Sequence, residues 1–259
     1  MVISNRRAAA LAVVLVLLAA ARAPSYQETP VTNGGELAGS VRYSGPLLPP
    51  LEAVVTAEQR DCGTTIPSHL FRVGNTRGLR DVIVTIEGIS TGKALSLEAR
   101  AVLANRKCQF EPHVQAVPVG VKIDLLNDDP ISHNAHGVLD GTRTLFNVAL
   151  PIKGFRLPKV LSAPGLVSVR CEAGHTWAGA YILVVDHPYY AVTDSMGAFS
   201  MSDVPPGTYR VKAWHESVGT QEQEVTIRPA ARTDLAFDYS TAPTLPTDVR
   251  PTPPSEDEF

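Results

Sequence analysis

The sequence predicts an all-β protein of sandwich or barrel type, and three observations predict it. Short runs rich in Val, Ile and Tyr recur along the chain, several of them alternating apolar and polar residues. Clusters of Gly, Pro, Asn and Asp separate them, as in "YSGPLLPP", "LNDDP", "LDGT", "SAPG" and "VPPG". Beyond the first residues, no long segment repeats apolar positions at helical spacing.

Taken in order, the chain opens on Arg6 and Arg7 followed by an apolar run from Ala8 to Ala21 and small residues at Ala19, Ala21 and Ala23. A positive head, a short apolar stretch and an Ala-x-Ala exit describe a secretory signal peptide over residues 1–23. The run of about fourteen residues is short against the about 20 a membrane helix needs, so no integral span is expected once the signal is cleaved. Cleavage removes Arg6, Arg7 and Arg22 and no acid, which takes the formal charge from -3 to -6. No basic stripe remains, and nucleic acid is not an expected partner. The expected location is periplasmic or secreted, where disulfides persist. Residues 24–34 read as a flexible leader.

The body starts with the strand Leu37–Tyr43. Further strands are expected at Asp81–Gly88, Ala94–Leu103, His113–Val119, Val121–Asn127, Thr144–Leu150, Leu166–Cys171 and Ala180–Asp186. The texture changes near Asp186–Pro188, which divides a domain over 35–186 from a smaller β unit over 187–240 with strands at Ala198–Val204, Thr208–Trp214 and Gln223–Pro229. Three or four strands make a thin core. One way to complete it is for Leu37–Tyr43 to return and pair there, which would make the intervening region an insertion in a second sandwich. Residues 241–259, "TAPTLPTDVRPTPPSEDEF", are rich in Pro, Thr and acids and read as a disordered tail.

Chemistry concentrates in three stretches: "NDDPISHNAHG" with His133 and His136, "VRCEAGHTWAGAY" with Cys171 and His175, and "KCQFEPHVQAVPVG" with Cys108 and His113. A thiolate and two imidazoles held by a rigid β framework suit copper. The order expected is one His from an earlier strand end, then Cys and His on a loop between two later strands. His133, Cys171 and His175 fit that order, with Glu172–Gly179 as the ligand loop. His136 is a further candidate ligand, or with Asn134 a hydrogen-bonding support of the loop; His113 is another candidate. The simpler alternative for each is a buried hydrophobic thiol or a hydrogen-bonded histidine. His187 and His215 read as loop histidines. No Ser–His–Asp, paired-carboxylate or phosphate-loop signature is present, so the reading is not an enzyme.

From about Gly35 to Ile227 the chain resembles the bacterial periplasmic cupredoxin-like proteins of methylamine-utilisation type that carry a carboxypeptidase-regulatory-like (transthyretin-like) β unit. The stretches that carry the resemblance are "DCG", "CQFEPHVQAVPVG", "NDDPISHNAHG", "LFNVALP", "PGLVSVRCEAGHTWAGAYILVVDHPYYAVTD" and "GAFSMSDVPPGTYRVKAWHE". The resemblance implies a cupredoxin-like Greek-key β-sandwich over 35–186, a smaller carboxypeptidase-regulatory-like β-sandwich over 187–240, and copper at His133, Cys171 and His175. It also supports a Cys62–Cys108 pair, worth about 3–4 kcal/mol in the chain-entropy model; a bridge from Cys171 to either would exclude copper.

Two departures from the family pattern fall at the site. Three residues rather than two separate Cys171 from His175, and Ala178 stands where the family has Met. Met196 and Met201 are poor substitutes, which leaves a three-coordinate site, a harder fourth ligand such as Glu172, His136 or His113, or loss of copper. The expected function is an exported copper protein that transfers single electrons to a redox partner protein or handles copper. The alternative is a secreted binding or structural module with a degenerate, metal-free site.

Overall fold

The alternation in the sequence becomes pleated strands with one face inward. The structure, a computed structural model, describes residues 26–98 and 100–252; the expected signal and the end of the tail lie outside them. The first strands are β1 (Gln27–Glu28), β2 (Gly35–Tyr43), β3 (Leu51–Val54), β4 (Thr65–Pro67), β5 (Ile83–Glu87) and β6 (Thr91–Gly92), with a one-turn helix α1 (Gln59–Cys62) after β3. Next come β7 (Ala101–Arg106), β8 (Gln109–Glu111), β9 (Val114–Pro118), β10 (Lys122–Asn127), β11 (His133–Leu139), β12 (Arg143–Leu150), β13 (Arg156–Val160), β14 (Gly165–Arg170) and β15 (Gly179–Val185). The last are β16 (Tyr190–Val192), β17 (Ala198–Val204), β18 (Gly207–His215), β19 (Gly219–Ile227), β20 (Arg232–Tyr239) and β21 (Val249–Pro251).

Two sandwiches result. In the first, the sheet β13-β10-β7-β8 packs on the five-stranded sheet β12-β11-β14-β15-β9. Leu103, Ile123 and Leu125 from one layer meet Ala135, Val167, Val169 and Ile182 from the other in a single core. Each Leu, Ile or Val so buried contributes about 1.5–3 kcal/mol. In the second sandwich, β16-β5-β18-β19 packs on β17-β2-β20, with Leu37, Val41, Val84, Ile86, Phe199, Val211 and Phe237 between them.

The expected division at residue 186 does not follow the strand pairing. β2 runs parallel to β20, with Leu37 opposite Thr233, and antiparallel to β17, with Leu37 opposite Met201. β5 lies between β16 and β18. Both precede β7 yet belong to the second sandwich, so β7–β15 form an insertion, the arrangement that a returning Leu37–Tyr43 strand implied. The reason is area: Leu37, Val41, Tyr43, Val84 and Ile86 are fully buried, and the C-terminal strands alone could not cover them. At the β2–β20 crossing, a Cβ on Gly39 would overlap the Leu235 carbonyl oxygen, so only glycine fits.

Both ends depart from expectation as well. Residues 27–28 of the leader pair with Thr91–Gly92, and Tyr26 donates its hydroxyl proton to the Lys93 carbonyl. The tail forms β21, antiparallel to β3 with Val249 opposite Ala53. Val249 is buried there, which supplies the apolar contact that the composition of the tail as a whole does not show. β21, β3 and β4 make a small sheet. α1, after β3, is tethered to the first sandwich by a disulfide between Cys62 and Cys108.

Local predictions differ from what is found at several places, and β3, β13 and β20 lie outside the expected strands. The strand expected over Ala94–Leu103 begins only at Ala101. β11 is absent from the expected strands, because "HNAHG" is poor in strand formers; its place between β12 and β14 supplies both hydrogen-bond ladders and overrides local preference.

Candidate metal centre

His133 opens β11, and the strand's period of two decides which of its neighbours can share a site. Residues 133, 135, 137 and 139 are buried while 134, 136 and 138 face the other way. His133 is therefore turned into the first sandwich, and its side chain is fully buried. Cys171 follows the last residue of β14, and β14 pairs with β11 so that Arg170 lies opposite His136. This register brings the Cys171 sulfur beneath the start of β11, where it accepts the Asn134 N–H at 3.3 Å.

The loop from Cys171 to Ala178 then folds back on itself. The Cys171 N–H donates to the Ala178 carbonyl, and the Ala178 N–H to the His175 carbonyl. Gly174 takes φ +97°, the left-handed region that favours glycine, and this accommodates the additional residue between Cys171 and His175. His175 consequently points back at the sulfur.

The three side chains converge. Cys171 Sγ is 3.4 Å from His175 Nδ1 and 3.8 Å from His133 Nδ1, and the two Nδ1 atoms are 3.0 Å apart. The three ligand atoms all lie within 4.8 Å of one another, and all three residues are buried. Cys171 is a free thiol, because Cys62 and Cys108 pair with each other. Burial raises the Cys171 pKa, but hydrogen bonds from His133 and His175 and from the N–H groups of Asn134 and Ala173 outweigh it and bring the thiol down to about 6. Burial lowers His133, but its bonds to Asp129 and Cys171 prevail and hold its pKa above the usual imidazole value. His175 Nε2 is buried and has no hydrogen-bond partner among the described residues. A buried sulfur inclined to be anionic, with two Nδ1 atoms turned toward it, is a donor set that fits a thiophilic cation.

Supports surround it. His133 Nε2 donates to Asp129 Oδ2 at 3.0 Å. The Asp129 carboxylate also takes the N–H groups of Lys107 and Cys108 at 2.7 and 2.8 Å. Trp177 packs its ring 5.2 Å from that of His175 and donates its indole N–H to the Cys108 carbonyl at 2.9 Å. Ala57, between β3 and α1, approaches Gly174, and Thr176 donates to Asp248 just before β21. The ligand loop thus lies under the small sheet and its helix.

The other sequence candidates fall elsewhere. His136 is three residues from His133 on a strand, so it faces the opposite side. It is engaged by Glu172 at 2.5 Å and Thr144 at 3.0 Å, and it is not in the cluster. Glu172 is half-exposed and also accepts from Asn147. His113 bonds the Gly179 carbonyl and the Glu216 carboxylate, linking the two sandwiches. His187 and His215 each accept the N–H two residues on, from Tyr189 and Ser217. Met196 is exposed and Met201 lies in the second core. The residue that sequence reasoning missed is Asp129: the sequence marks it only as part of an Asp-Asp-Pro turn, although its place four positions before His133 is a usable signal.

One family model and several solved structures are similar to parts of this chain. The family described as "Carboxypeptidase regulatory-like domain" matches residues 166–240. That stretch holds β16–β20 of the second sandwich but begins in β14 and β15 of the first. No curated protein matches. Among solved structures, a purple cupredoxin from Nitrosopumilus maritimus is 24% identical at TM-score 0.29, covering 33% of this chain and 99% of that one. A methionine-to-alanine mutant of amicyanin with Cu(I) is 20% identical at TM-score 0.29, over 39% of this chain and 98% of that one. A copper-containing nitrite reductase from Thermus scotoductus SA-01 is 22% identical at TM-score 0.31, covering 36% of this chain; the likeness spans 24% of the reductase.

Proposed function

We propose that this is an exported copper-binding protein whose first sandwich, cupredoxin-like in plan, holds the ion at His133, Cys171 and His175. The observation that carries the reading is the convergence of one free thiol and two Nδ1 atoms, from β11 and from a loop about forty residues further on, in a buried cluster. When bound there, copper would supply one-electron chemistry between its two oxidation states. The chain's contribution is to fix one donor at the start of β11 and two on the loop that leaves its partner strand β14, so little has to move when the charge on the ion changes, and to exclude water. Electron transfer to a protein partner, or holding copper for transfer, both follow from such a site. Export is supported by the N-terminal pattern and by the Cys62–Cys108 disulfide, a bond that persists in oxidising compartments. Among the described residues, no helix is long and apolar enough to cross a membrane.

The fourth position is where the site differs from a four-ligand design. Ala178 is buried and offers no donor, and no fourth His, Cys, Asp or Glu joins the cluster among the described residues. An axial ligand tunes potential more than it holds the ion, so three strong donors suffice for binding.

The test is a Cu(II) titration of the protein produced through an oxidising compartment, followed by visible absorption and EPR, with Cys171→Ser as control. A stoichiometric, intense sulfur-to-copper band that is lost in the control is expected. Absence of stoichiometric copper would leave a secreted β scaffold with a structural thiol.

A further inference from the structure

Asp129 is buried, and its carboxylate is held by three donors from the first sandwich, the setting that favours the ionised form: Lys107 N–H on Oδ1, and Cys108 N–H and His133 Nε2 on Oδ2. Its own N–H donates to Asn127 Oδ1 at 2.9 Å. Asn127, fully buried, is fixed in turn by the carbonyls of Ile131 and Leu150 at 2.8 and 2.9 Å. The carboxylate is thus pinned from three elements and has no freedom to turn away from His133.

An ionised carboxylate only accepts hydrogen bonds. His133 Nε2 must therefore carry a ring proton toward Asp129, which makes Nδ1 the nitrogen turned to Cys171 and His175. The ring is turned so that Nδ1, and not Nε2, is the nitrogen offered to a cation. The carboxylate does not itself join the ligand cluster, since it meets the opposite edge of the imidazole. Its charge still counts in a buried site. A thiolate and a carboxylate balance a divalent ion, whereas a monovalent ion would leave one buried negative charge uncompensated.

We propose that Asp129 is a positioning residue that locks His133 as the Nε2–H tautomer in the metal-free protein and biases the His133–Cys171–His175 site toward divalent over monovalent ions. The second half rests on the copper reading; the first does not. Asparagine is the discriminating replacement. It has one acceptor oxygen where three donors converge, so its amide N–H must face a donor. Removing such a support of a ligand histidine costs about 10–100-fold in metal affinity.

The experiment uses the full chain and its Asp129→Asn variant. Long-range ¹⁵N–¹H NMR of the metal-free proteins reads the His133 tautomer, and parallel competition titrations use Co(II) and Cu(I). Expected are a single Nε2–H tautomer in the parent, a mixture or Nδ1–H in the variant, and a Co(II)/Cu(I) affinity ratio at least tenfold lower in the variant. A parent with Nδ1–H, or a variant with an unchanged tautomer, overturns the positioning role. An equal loss for both ions overturns the charge role, and the tautomer measurement alone then decides the positioning role. A parent that binds neither ion sinks the copper reading and the charge role with it, while the tautomer measurement still decides the positioning role. Should Asp129→Asn fail to fold, Asp129→Glu keeps the charge at a longer reach: a loosened tautomer with the divalent preference retained supports the proposal, and loss of that preference overturns the charge role.

Discussion

His133 Nδ1 and His175 Nδ1 lie 3.0 Å apart, although 42 residues separate them in sequence. Two ring nitrogens with bare lone pairs repel at that distance, so a proton or a cation must lie between them. Binding a cation replaces an awkward proton-sharing arrangement with three donor bonds, and the gain is linked to folding. At 100 times the dissociation constant, stabilisation is about 2.7 kcal/mol. For a chain of this size that corresponds to a Tm about 5–10 °C higher. Differential scanning calorimetry with and without Cu(II) or Co(II) checks it, and an unchanged Tm at saturating metal argues against the site.

The faces of β11 make a second prediction. His133 and His175 belong to the cluster, whereas His136 is on the opposite face with Glu172 and Thr144. His175→Ala should weaken metal binding by at least about 100-fold, because a ligand is lost from a three-donor site. His136→Ala should leave affinity within about threefold and cost no more than about 0–1 kcal/mol of stability, as for a surface ion pair. Isothermal titration of the two variants separates them; equal losses would place His136 at the metal.

How much of this is legible depends on distance along the chain. The convergence of His133, Cys171 and His175 can be read, because strand alternation and the Cys-to-His loop are local and the order His, Cys, His survives without a fold. What does not show is the pairing of β2 with β20: Leu37 and Thr233 carry no mark of each other, and a strand of either sandwich has the same pattern. Val249 is hidden for a related reason, since one apolar residue in a Pro-rich, acidic tail has no visible partner until Ala53 is beside it. His136 enters the ligand set on sequence alone because "SHNAHG" reads as a turn, where a spacing of three lets two rings converge; on a strand the same spacing separates them.

Cys108 makes the disulfide part of the site. Its sulfur ties down α1, its N–H holds Asp129, and its carbonyl receives the Trp177 indole. The Cys62→Ser, Cys108→Ser double variant should lose about 4 kcal/mol, as the chain-entropy model gives for a sequence separation of 46. It should also release metal to a chelator faster, since both ligand arms lean on Cys108. Urea unfolding and stopped-flow chelation of the loaded proteins measure the two effects. A stability loss with unchanged release would confine the bridge to a purely structural role.

Acid should destabilise the metal-free protein through the second sandwich. His215 is buried, its Nδ1 accepts the Ser217 N–H at 3.1 Å, and the Phe71 ring stands edge-on 5.9 Å away. Burial, with the charges of His113 and Arg72 behind it, holds its pKa down at about 4 against 6.5 for a free imidazole. The unfolded chain therefore binds a proton that the folded chain refuses between those values. The stability contributed by neutral His215 is complete above pH 6.5 and is lost as pH falls toward 4, to a total of about 3 kcal/mol. His69, lowered to about 4 by burial and then by Arg72, His113 and Arg80, has the same sign in the same window, discounted for its greater exposure. Asparagine at 215 keeps an acceptor for the Ser217 N–H but cannot titrate. The unfolding free energy of His215→Asn should therefore fall less steeply than that of the parent between pH 6.5 and 4, with the two curves parallel above pH 7. Equal slopes throughout would mean that His215 takes up its proton without unfolding the strand end that buries it.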